Sequence, residues 1–338
     1  MKALFIGGTG TISTAISKLA VEKGWELYLL NRGNNVSRVP EGARVITADI
    51  NDEYSVSKLI KNMKFDVVVD FIAFDTAQIQ RDIRLFSKKT KQFIFISTAS
   101  AYQKPLSFYK ITESTPLSNP YWQYSRDKIA CEEILMKEYQ ENNFPVTIIR
   151  PSHTYGEGSL PLAIVGKNGA WQVIDRMLKG KPVIIHGDGT SLWTLTHISD
   201  FAKAFTGIMG NNAAIGEAIH ITSEEAIPWN KIYDCIGEAL DIEVKKIHIS
   251  TDFLVKCQAD FEGGLIGDKA NSVVFDNSKI KRLVPDYVAT VRFDQGVKHS
   301  IKYILSHPEL QIADVEFDLF CDKIIKAQEQ AITYFKSL

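Results

Sequence analysis

The reactive pair that stands out in the sequence is Tyr124 and Lys128, in the string Tyr-Ser-Arg-Asp-Lys. A spacing of four residues places two side chains on the same face of a helix. A phenol has a pKa of about 10 in water, and a neighbouring ammonium favours the phenolate and lowers that value. Tyr124 is therefore a candidate general base toward a hydroxyl, or general acid toward a carbonyl. Because such strings also arise by chance, a half-buried tyrosine beside a solvated lysine is the alternative.

A second group of polar side chains follows the apolar run at 93–96. Ser97, Thr98 and Ser100 come directly after this predicted strand. Ligands bind at the carboxyl ends of strands in open parallel sheets, so we expect these hydroxyls to face a substrate. Thr98 or Ser97 is expected to donate a hydrogen bond to the reacting oxygen, and Thr98 is the residue predicted to form a catalytic set with Tyr124 and Lys128. Ser97 and Ser100 are predicted substrate contacts.

A glycine-rich turn lies between the first predicted strand and the first predicted helix, in Gly-Gly-Thr-Gly-Thr-Ile-Ser. Gly7 permits a tight turn, and Gly10 lets the backbone approach a pyrophosphate. The N–H groups that open the helix, at Thr11 and Ile12, can then bind that anion. Ser13 stands where a third small residue packs the helix on the strand. The context of strand, turn and helix predicts a dinucleotide site.

The end of the second predicted strand bears on the choice of cofactor. NAD sites usually carry an acidic residue there, for the ribose 2′-hydroxyl, whereas this chain has Asn31 and Arg32. An arginine can pair with a 2′-phosphate. We therefore expect NADP or NAD, with NADP favoured. Asp49 and Ile50 follow the third strand and are predicted to contact the adenine, with a helix cap as the alternative role of Asp49.

The order of apolar segments predicts the fold class. Short apolar runs at 3–6, 25–30, 65–72 and 93–96 alternate with helical patterns, which is typical of parallel strands buried on both faces. We predict an α/β fold with a doubly wound parallel sheet, the Rossmann fold, and a smaller C-terminal α/β substrate lobe. The dinucleotide-binding domain is expected to span residues 1–165 and to be rejoined by about 190–222. Residues 166–338 are expected to form the substrate-binding lobe with a helical tail.

The composition excludes several classes of protein. Among 338 residues the formal net charge is −1, which gives no field to attract a polyanion, so no nucleic acid is expected as a partner. Four scattered cysteines and the absence of ligand-spaced histidines predict neither a disulfide framework nor a metal site. The sequence has no stretch of about 20 apolar residues and no secretory signal. We expect a cytoplasmic protein without a membrane span, acting on a small molecule.

Taken together, these motifs resemble the extended short-chain dehydrogenase/reductase family, in its NAD(P)-dependent epimerase/dehydratase branch. The resemblance covers about residues 2–305. The matching segments are 7–13, 97–102, 124–128, 150–156, 187–189 and 197–200.

The resemblance implies roles for further residues. It implies that Lys128 also binds the nicotinamide ribose, that Ala73 lines the nicotinamide side, and that Arg150 and His153 contact substrate. The alternatives are that Arg150 holds a loop in place and that His153 is a loop or core histidine. It also implies a homodimer through helices near 77–88 and 121–142.

Four positions depart from the family pattern. Ala99 and Ser100 stand where dehydratases of the family carry acidic residues, which disfavours elimination chemistry. Asp70 replaces the usual histidine after the fourth strand. Trp193 replaces an arginine near the substrate phosphates, so it is a candidate stacking contact, with a core position as the alternative.

Three functions remain open from the sequence. The first is an epimerase-type oxidoreductase acting on a hydroxyl or carbonyl carbon, of a nucleotide sugar, by hydride transfer. The second is an NADPH-dependent reductase of a non-sugar carbonyl, which Arg32 favours. The third is a non-catalytic cofactor-sensing or RNA-associated protein on the same fold, against which the presence of Thr98, Tyr124 and Lys128 argues.

Overall fold

The computed structural model describes residues 1–338 and contains two compact units. The first comprises Met1–Thr154, Thr196–Glu224 and Phe275–Thr290, and the second comprises Tyr155–Leu195, Glu225–Val274 and Val291–Leu338. The limit expected at residue 165 falls inside the second unit. The first unit also takes back residues 275–290, which the sequence did not indicate because no change in composition marks them.

Fourteen strands and twelve α-helices, joined by short 3₁₀ turns and one π-helical turn, make up the chain. The strands are β1 (Lys2–Ile6), β2 (Glu26–Asn31), β3 (Arg44–Thr47), β4 (Phe65–Asp70), β5 (Thr90–Ile96), β6 (Lys110–Ile111), β7 (Val146–Pro151), β8 (His153–Tyr155), β9 (Val183–His186), β10 (Leu192–His197), β11 (Ala218–Ile221), β12 (Ala226–Pro228), β13 (Lys246–Ile249) and β14 (Val274–Phe275). The helices are α1 (Thr11–Glu22), α2 (Glu53–Leu59), α3 (Thr76–Phe86), α4 (Gln123–Asn142), α5 (Trp171–Leu178), α6 (Ile198–Ile208), α7 (Trp229–Leu240), α8 (Thr251–Cys257), α9 (Phe261–Gly264), α10 (Ser278–Leu283), α11 (Phe293–Ser306) and α12 (Val315–Lys336).

A parallel sheet of seven strands forms the centre of the first unit. Its order is β11-β7-β5-β4-β1-β2-β3, and its neighbouring strands pair in parallel, as Leu4 with Val68 between β1 and β4 shows. Both faces are covered by helices. One face packs on α1 and α6 through residues such as Ile16 and Phe201, and the other packs on α2, α3 and α4 through residues such as Leu135. The doubly wound sheet predicted from the apolar runs is confirmed.

The second unit is also built from strands and helices. Strand β9 pairs in parallel with β13, and β10 pairs antiparallel with β12. Its buried helical residues follow a period of three to four, as in α7, where Ile232, Tyr233 and Ile236 are buried. Its longer helices are α5, α7, α11 and α12, of which α12 forms the helical tail expected at the end of the chain. No helix of the chain combines the length and the apolar character that crossing a membrane requires.

Candidate active site

The glycine-rich turn has the backbone shape that its residues predicted. Gly7 has φ +81°, and a Cβ atom there would lie 2.5 Å from Cγ2 of Ile72. A Cβ atom at Gly8 would lie 2.6 Å from Cδ2 of Leu29. At Gly10 a Cβ atom would meet only the Ser13 hydroxyl, at 3.4 Å. The first two glycines are therefore required by neighbouring side chains, whereas Gly10 leaves its outer surface open to a ligand.

Ser13 occupies the last small position of the glycine motif and hydrogen-bonds to the loop. Its Oγ accepts a hydrogen bond from the Gly10 N–H at 2.8 Å and donates one to the Gly7 carbonyl at 3.0 Å. The serine therefore ties both ends of the turn to the first turn of α1. The N–H groups of Thr11 and Ile12 belong to that first turn, where a helix has no internal acceptors. The loop thus fits a dinucleotide pyrophosphate, which these two N–H groups would hold.

The residues predicted to bind the adenosine part of the cofactor lie at the ends of β2 and β3. The Asn31 side chain accepts from the Gly33 N–H at 2.9 Å and shapes a turn that leaves Arg32 exposed. Asp49 is exposed and accepts from the backbone N–H of Asn51 at 2.9 Å. It does not cap α2, because Asp52 does so.

Ile50 is buried, with 4% of its surface exposed. Only its backbone would be presented to a ligand.

A chain of hydroxyl groups runs inward from Thr98. Its Oγ1 lies 2.9 Å from Oγ of Ser100, which lies 2.8 Å from Oγ of Ser125. The Asn119 amide donates to the Ser100 carbonyl at 2.8 Å. Sequence reasoning missed Ser125 and Asn119, although the position of Ser125 beside Tyr124 was a usable signal. These hydrogen bonds between side chains fix the Thr98 hydroxyl close to the end of β5.

Lys128 is buried beside Tyr124, with 2% of its surface exposed. Its Nζ donates to the carbonyls of Ala73 and Ile96, both at 2.7 Å, and lies 5.9 Å from the centre of the Tyr124 ring. Burial lowers the pKa of Lys128 to about 8. The solvated position considered for this lysine is therefore wrong. An ammonium has three N–H donors, so one remains for a ligand.

Aromatic rings surround the Tyr124 side chain, which is half-buried. The ring centroid of Phe74 lies 6.3 Å away and that of Trp122 lies 5.1 Å away. Phe74 also lies 4.6 Å from Nζ of Lys128 and is 48% exposed. Sequence reasoning missed Phe74, because a single aromatic residue in a loop carries no pattern.

Ser97 and Arg150 lie in a buried network. The Ser97 hydroxyl donates to Glu132, and Arg150 donates to the same carboxylate from Nε at 3.0 Å and from Nη2 at 2.6 Å. Hydrogen bonding to Glu132 holds the pKa of Arg150 above its usual value, against desolvation. A substrate would have to compete with Glu132 for both residues. The contacts support the loop-pinning alternative for Arg150.

The two remaining predicted substrate contacts lie in different units. His153 is half-buried in β8 of the first unit. Trp193 belongs to β10 of the second unit and is 3% exposed. Its ring lies 5.3 Å from that of Trp229, at an interplanar angle of 36°. This packing corresponds to the core position considered for Trp193, because the neighbouring ring covers it.

The Rossmann sheet and these motifs together identify the protein as an NAD(P)-dependent enzyme of the extended short-chain dehydrogenase/reductase type. The sequence profile of the NAD dependent epimerase/dehydratase family matches residues 3–222. The chain belongs to that family. The resemblance stated from the motifs is thereby confirmed.

Relatives of the chain include both reductases and epimerases. It is 23% identical over 287 residues to 2'-dehydrokanamycin reductase of Streptomyces kanamyceticus, with 85% of this chain and 80% of the relative covered. It is 28% identical over 214 residues to the uncharacterized UDP-glucose epimerase YtcB of Bacillus subtilis, with 63% and 60% covered. UDP-glucuronic acid 4-epimerase from Bacillus cereus in complex with NAD has the same fold, with a TM-score of 0.73, 21% identity, and 92% of this chain and 100% of that one covered.

Proposed function

We propose that this protein is an epimerase-type oxidoreductase that acts on a hydroxyl or carbonyl carbon of a nucleotide sugar by hydride transfer, with Tyr124 as the acid/base and with no net redox change. The observation that carries the proposal is the buried ammonium of Lys128 within 5.9 Å of the Tyr124 ring. A desolvated positive charge stabilises a phenolate far more than a solvated one does. The resemblance to a UDP-glucose epimerase supports the substrate class.

Each residue of the proposed set has a separate task. Bound NAD(P) supplies the acceptor and donor of the hydride. Tyr124 removes the proton from the substrate hydroxyl and returns it when the carbonyl is reduced. Thr98, fixed through Ser100, donates a hydrogen bond to the oxygen on which charge develops. The remaining N–H donor of Lys128 holds a ribose hydroxyl.

The test of Tyr124 is Tyr124→Phe, which keeps the ring packing on Phe74 and Trp122 but removes the acidic hydroxyl. We expect turnover of the best substrate in a panel of nucleotide sugars to fall at least about 100-fold, while cofactor affinity stays within about twofold. Tyr54→Phe is the matched control, because Tyr54 lies on α2 and is 70% exposed. Near-normal turnover by the Tyr124 variant would show that the reaction does not depend on the Tyr124 hydroxyl and would remove the acid/base assignment.

A reductase is the second candidate, and two observations favour it. Arg32 is exposed at the end of β2, where it can pair with the 2′-phosphate of NADP. The relative with 85% coverage of this chain is a reductase. Mass spectrometry of the nucleotide released on denaturation separates the candidates. Stoichiometric NAD indicates a retained cofactor and an epimerase. Empty protein that prefers NADPH in a titration indicates a reductase, for which carbonyl substrates should be screened.

The proposed assembly is a homodimer through α3 and α4, as the family resemblance implies. Sedimentation equilibrium of the purified chain tests it, and a monomer at micromolar concentration would contradict it.

A further inference from the structure

Asp70 occupies the position after β4 where the sequence departs from the family pattern. Its carboxylate is completely buried. One oxygen, Oδ1, accepts from the N–H groups of Ile72 at 2.6 Å and Ala73 at 2.9 Å. These two bonds fold the segment into a tight turn. The carbonyl at the end of that turn, on Ala73, accepts from Nζ of Lys128 at 2.7 Å.

The other oxygen of Asp70 is held from α3. Oδ2 accepts from Nη2 of Arg81 at 3.2 Å. The same guanidinium donates to Asp82 from Nε at 2.9 Å and to the Asn51 side chain from Nη1 at 2.7 Å. Arg81 is 5% exposed and Asp82 is not exposed at all. The turn that contacts Lys128 is therefore braced by a buried cluster of charged groups.

This cluster contains two carboxyl groups and only one cation. Oδ2 of Asp82 is buried and has no hydrogen-bond partner within the protein. Burial, followed by the nearby charge of Asp70, raises the pKa of Asp82 well above its usual value. A neutral Asp82 makes the cluster neutral as a whole, because the charge of Asp70 is then balanced by Arg81. Asp70, which shapes the turn, accepts from two backbone N–H groups and from Arg81, whereas Asp82 accepts from Arg81.

We propose that Asp70 is a positioning residue that holds the Ala73 carbonyl against Lys128 and keeps the lysine in its protonated form. Two effects act together, since the turn supplies one of the two carbonyl acceptors and the carboxylate supplies a negative charge. The other titratable groups that face Lys128 are Cys131, Glu132 and Tyr124. The inference rests on the proposed function for its catalytic meaning, but the link between Asp70 and Lys128 can be measured without any substrate.

The experiment is an NMR titration of protein labelled with ¹³Cε-lysine. The Lys128 signal is assigned by its absence in Lys128→Met. In Asp70→Asn we expect the apparent pKa of Lys128 to fall by about one pH unit. The charge of Asp70 acts on Lys128, whereas Asp82, which can ionise in its place, is not among the groups that shift the pKa of the lysine. The amide oxygen of the variant can still accept the turn bonds. Asp82→Asn is the matched control and should leave the titration unchanged, since an amide replaces a carboxyl group that is already neutral. An unchanged titration in Asp70→Asn overturns the proposal.

The Asp70→Asn variant should fold, because Asp82 can then lose its proton and pair with Arg81, which already lies 2.8 Å away. If it does not fold, Asp70→Ser provides the second variant, since its hydroxyl can accept a turn bond without carrying charge. The same fall in the Lys128 titration is expected, and its absence counts equally against the proposal.

Activity separates this proposal from the proposed function. If Tyr124 is the acid/base, the alkaline limb of the kcat profile should move to lower pH in Asp70→Asn and stay in place in Asp82→Asn. A shifted Lys128 titration together with normal turnover by Tyr124→Phe would remove the proposed function and leave the positioning role. An unshifted Lys128 titration together with an inactive Tyr124→Phe would remove the positioning role of Asp70 and leave the proposed function.

Discussion

Two buried arginines in the first unit make different use of their carboxylate partners. Arg150 pairs with one carboxylate, Glu132, through two of its nitrogen atoms. Arg81 is shared by two carboxyl groups, Asp70 and Asp82. We call these the Arg150 pair and the Arg81 cluster. The first has as many acids as bases, whereas the second has one acid in excess.

This difference decides how each group responds to the loss of a charge. In the Arg150 pair the acceptor atoms of Glu132 are taken up by Arg150 and Ser97, and Glu132 is the carboxylate that forms an ion pair with Arg150. In the Arg81 cluster, Asp82 is a second carboxyl group, which can ionise when Asp70 is replaced by a neutral residue. The Arg150 pair therefore depends on both of its partners, whereas the Arg81 cluster can move its negative charge from one carboxyl group to the other. Lys128 is affected by both, through Glu132 and Asp70.

The largest effect is expected for Arg150→Met. It leaves the Glu132 carboxylate buried without a cation, which typically costs about 3–5 kcal/mol of unfolding free energy. Denaturant unfolding at pH 7 measures the loss. Arg150→Met combined with Glu132→Gln should recover much of it, and Arg44→Met, at an exposed ion pair with Glu26, should change little. Equal losses in the single and double variants would show that the pair does not act as a brace.

A change of intermediate size in the unfolding free energy is expected for Lys128, which is affected by both the Arg150 pair and the Arg81 cluster. Folding lowers its pKa from 10.5 to about 8, so between these values the unfolded chain binds one more proton than the folded chain. The unfolding free energy should therefore rise with pH across this window, by a total of about 3 kcal/mol. The difference between wild type and Lys128→Met, followed by denaturant unfolding from pH 7 to 10, isolates the contribution. A difference that is independent of pH would contradict the burial of the ammonium.

The smallest effect is expected for Asp82→Asn. Near pH 4 the amide replaces a carboxyl group that the folded chain holds in its neutral form, so the unfolding free energy at that pH should stay within about 1 kcal/mol of wild type. Since folding raises the pKa of Asp82 above 3.8, the folded chain holds a proton that the unfolded chain releases. That makes wild type lose stability as the pH rises above about 4. The variant should lack this loss, and a strongly destabilised variant would show that Asp82 is charged in the folded state.

The elements and the glycine loop could be predicted from sequence because their signals are local. Apolar runs separated by helical patterns indicate buried parallel strands, and α1 begins at Thr11 as the glycine motif required. The position of Thr98 at the end of β5 follows from the same pattern. The six motif segments between residues 7 and 200, taken together, carried the resemblance to the family.

The two arginine groups could not be predicted because their contacts are not local. Glu132 and Arg150 come from α4 and β7, and neither residue forms a recognisable motif with the other. Asp70, Arg81 and Asp82 come from a strand end and a helix, and nothing in the sequence shows that α3 turns these side chains inward. For Trp193 the sequence left both alternatives open, since only the packing against Trp229 distinguishes them.

The two carbonyls that accept from Lys128 belong to different places in the sheet. Ile96 ends β5, and Ala73 follows the neighbouring strand β4. The lysine is thus a non-covalent cross-link between the carboxyl ends of two adjacent strands. The side chain that is expected to touch the cofactor also fixes the spacing of the backbone around it. Two of the three donors of the ammonium thus hold neighbouring strand ends together, and the third is left for a ligand.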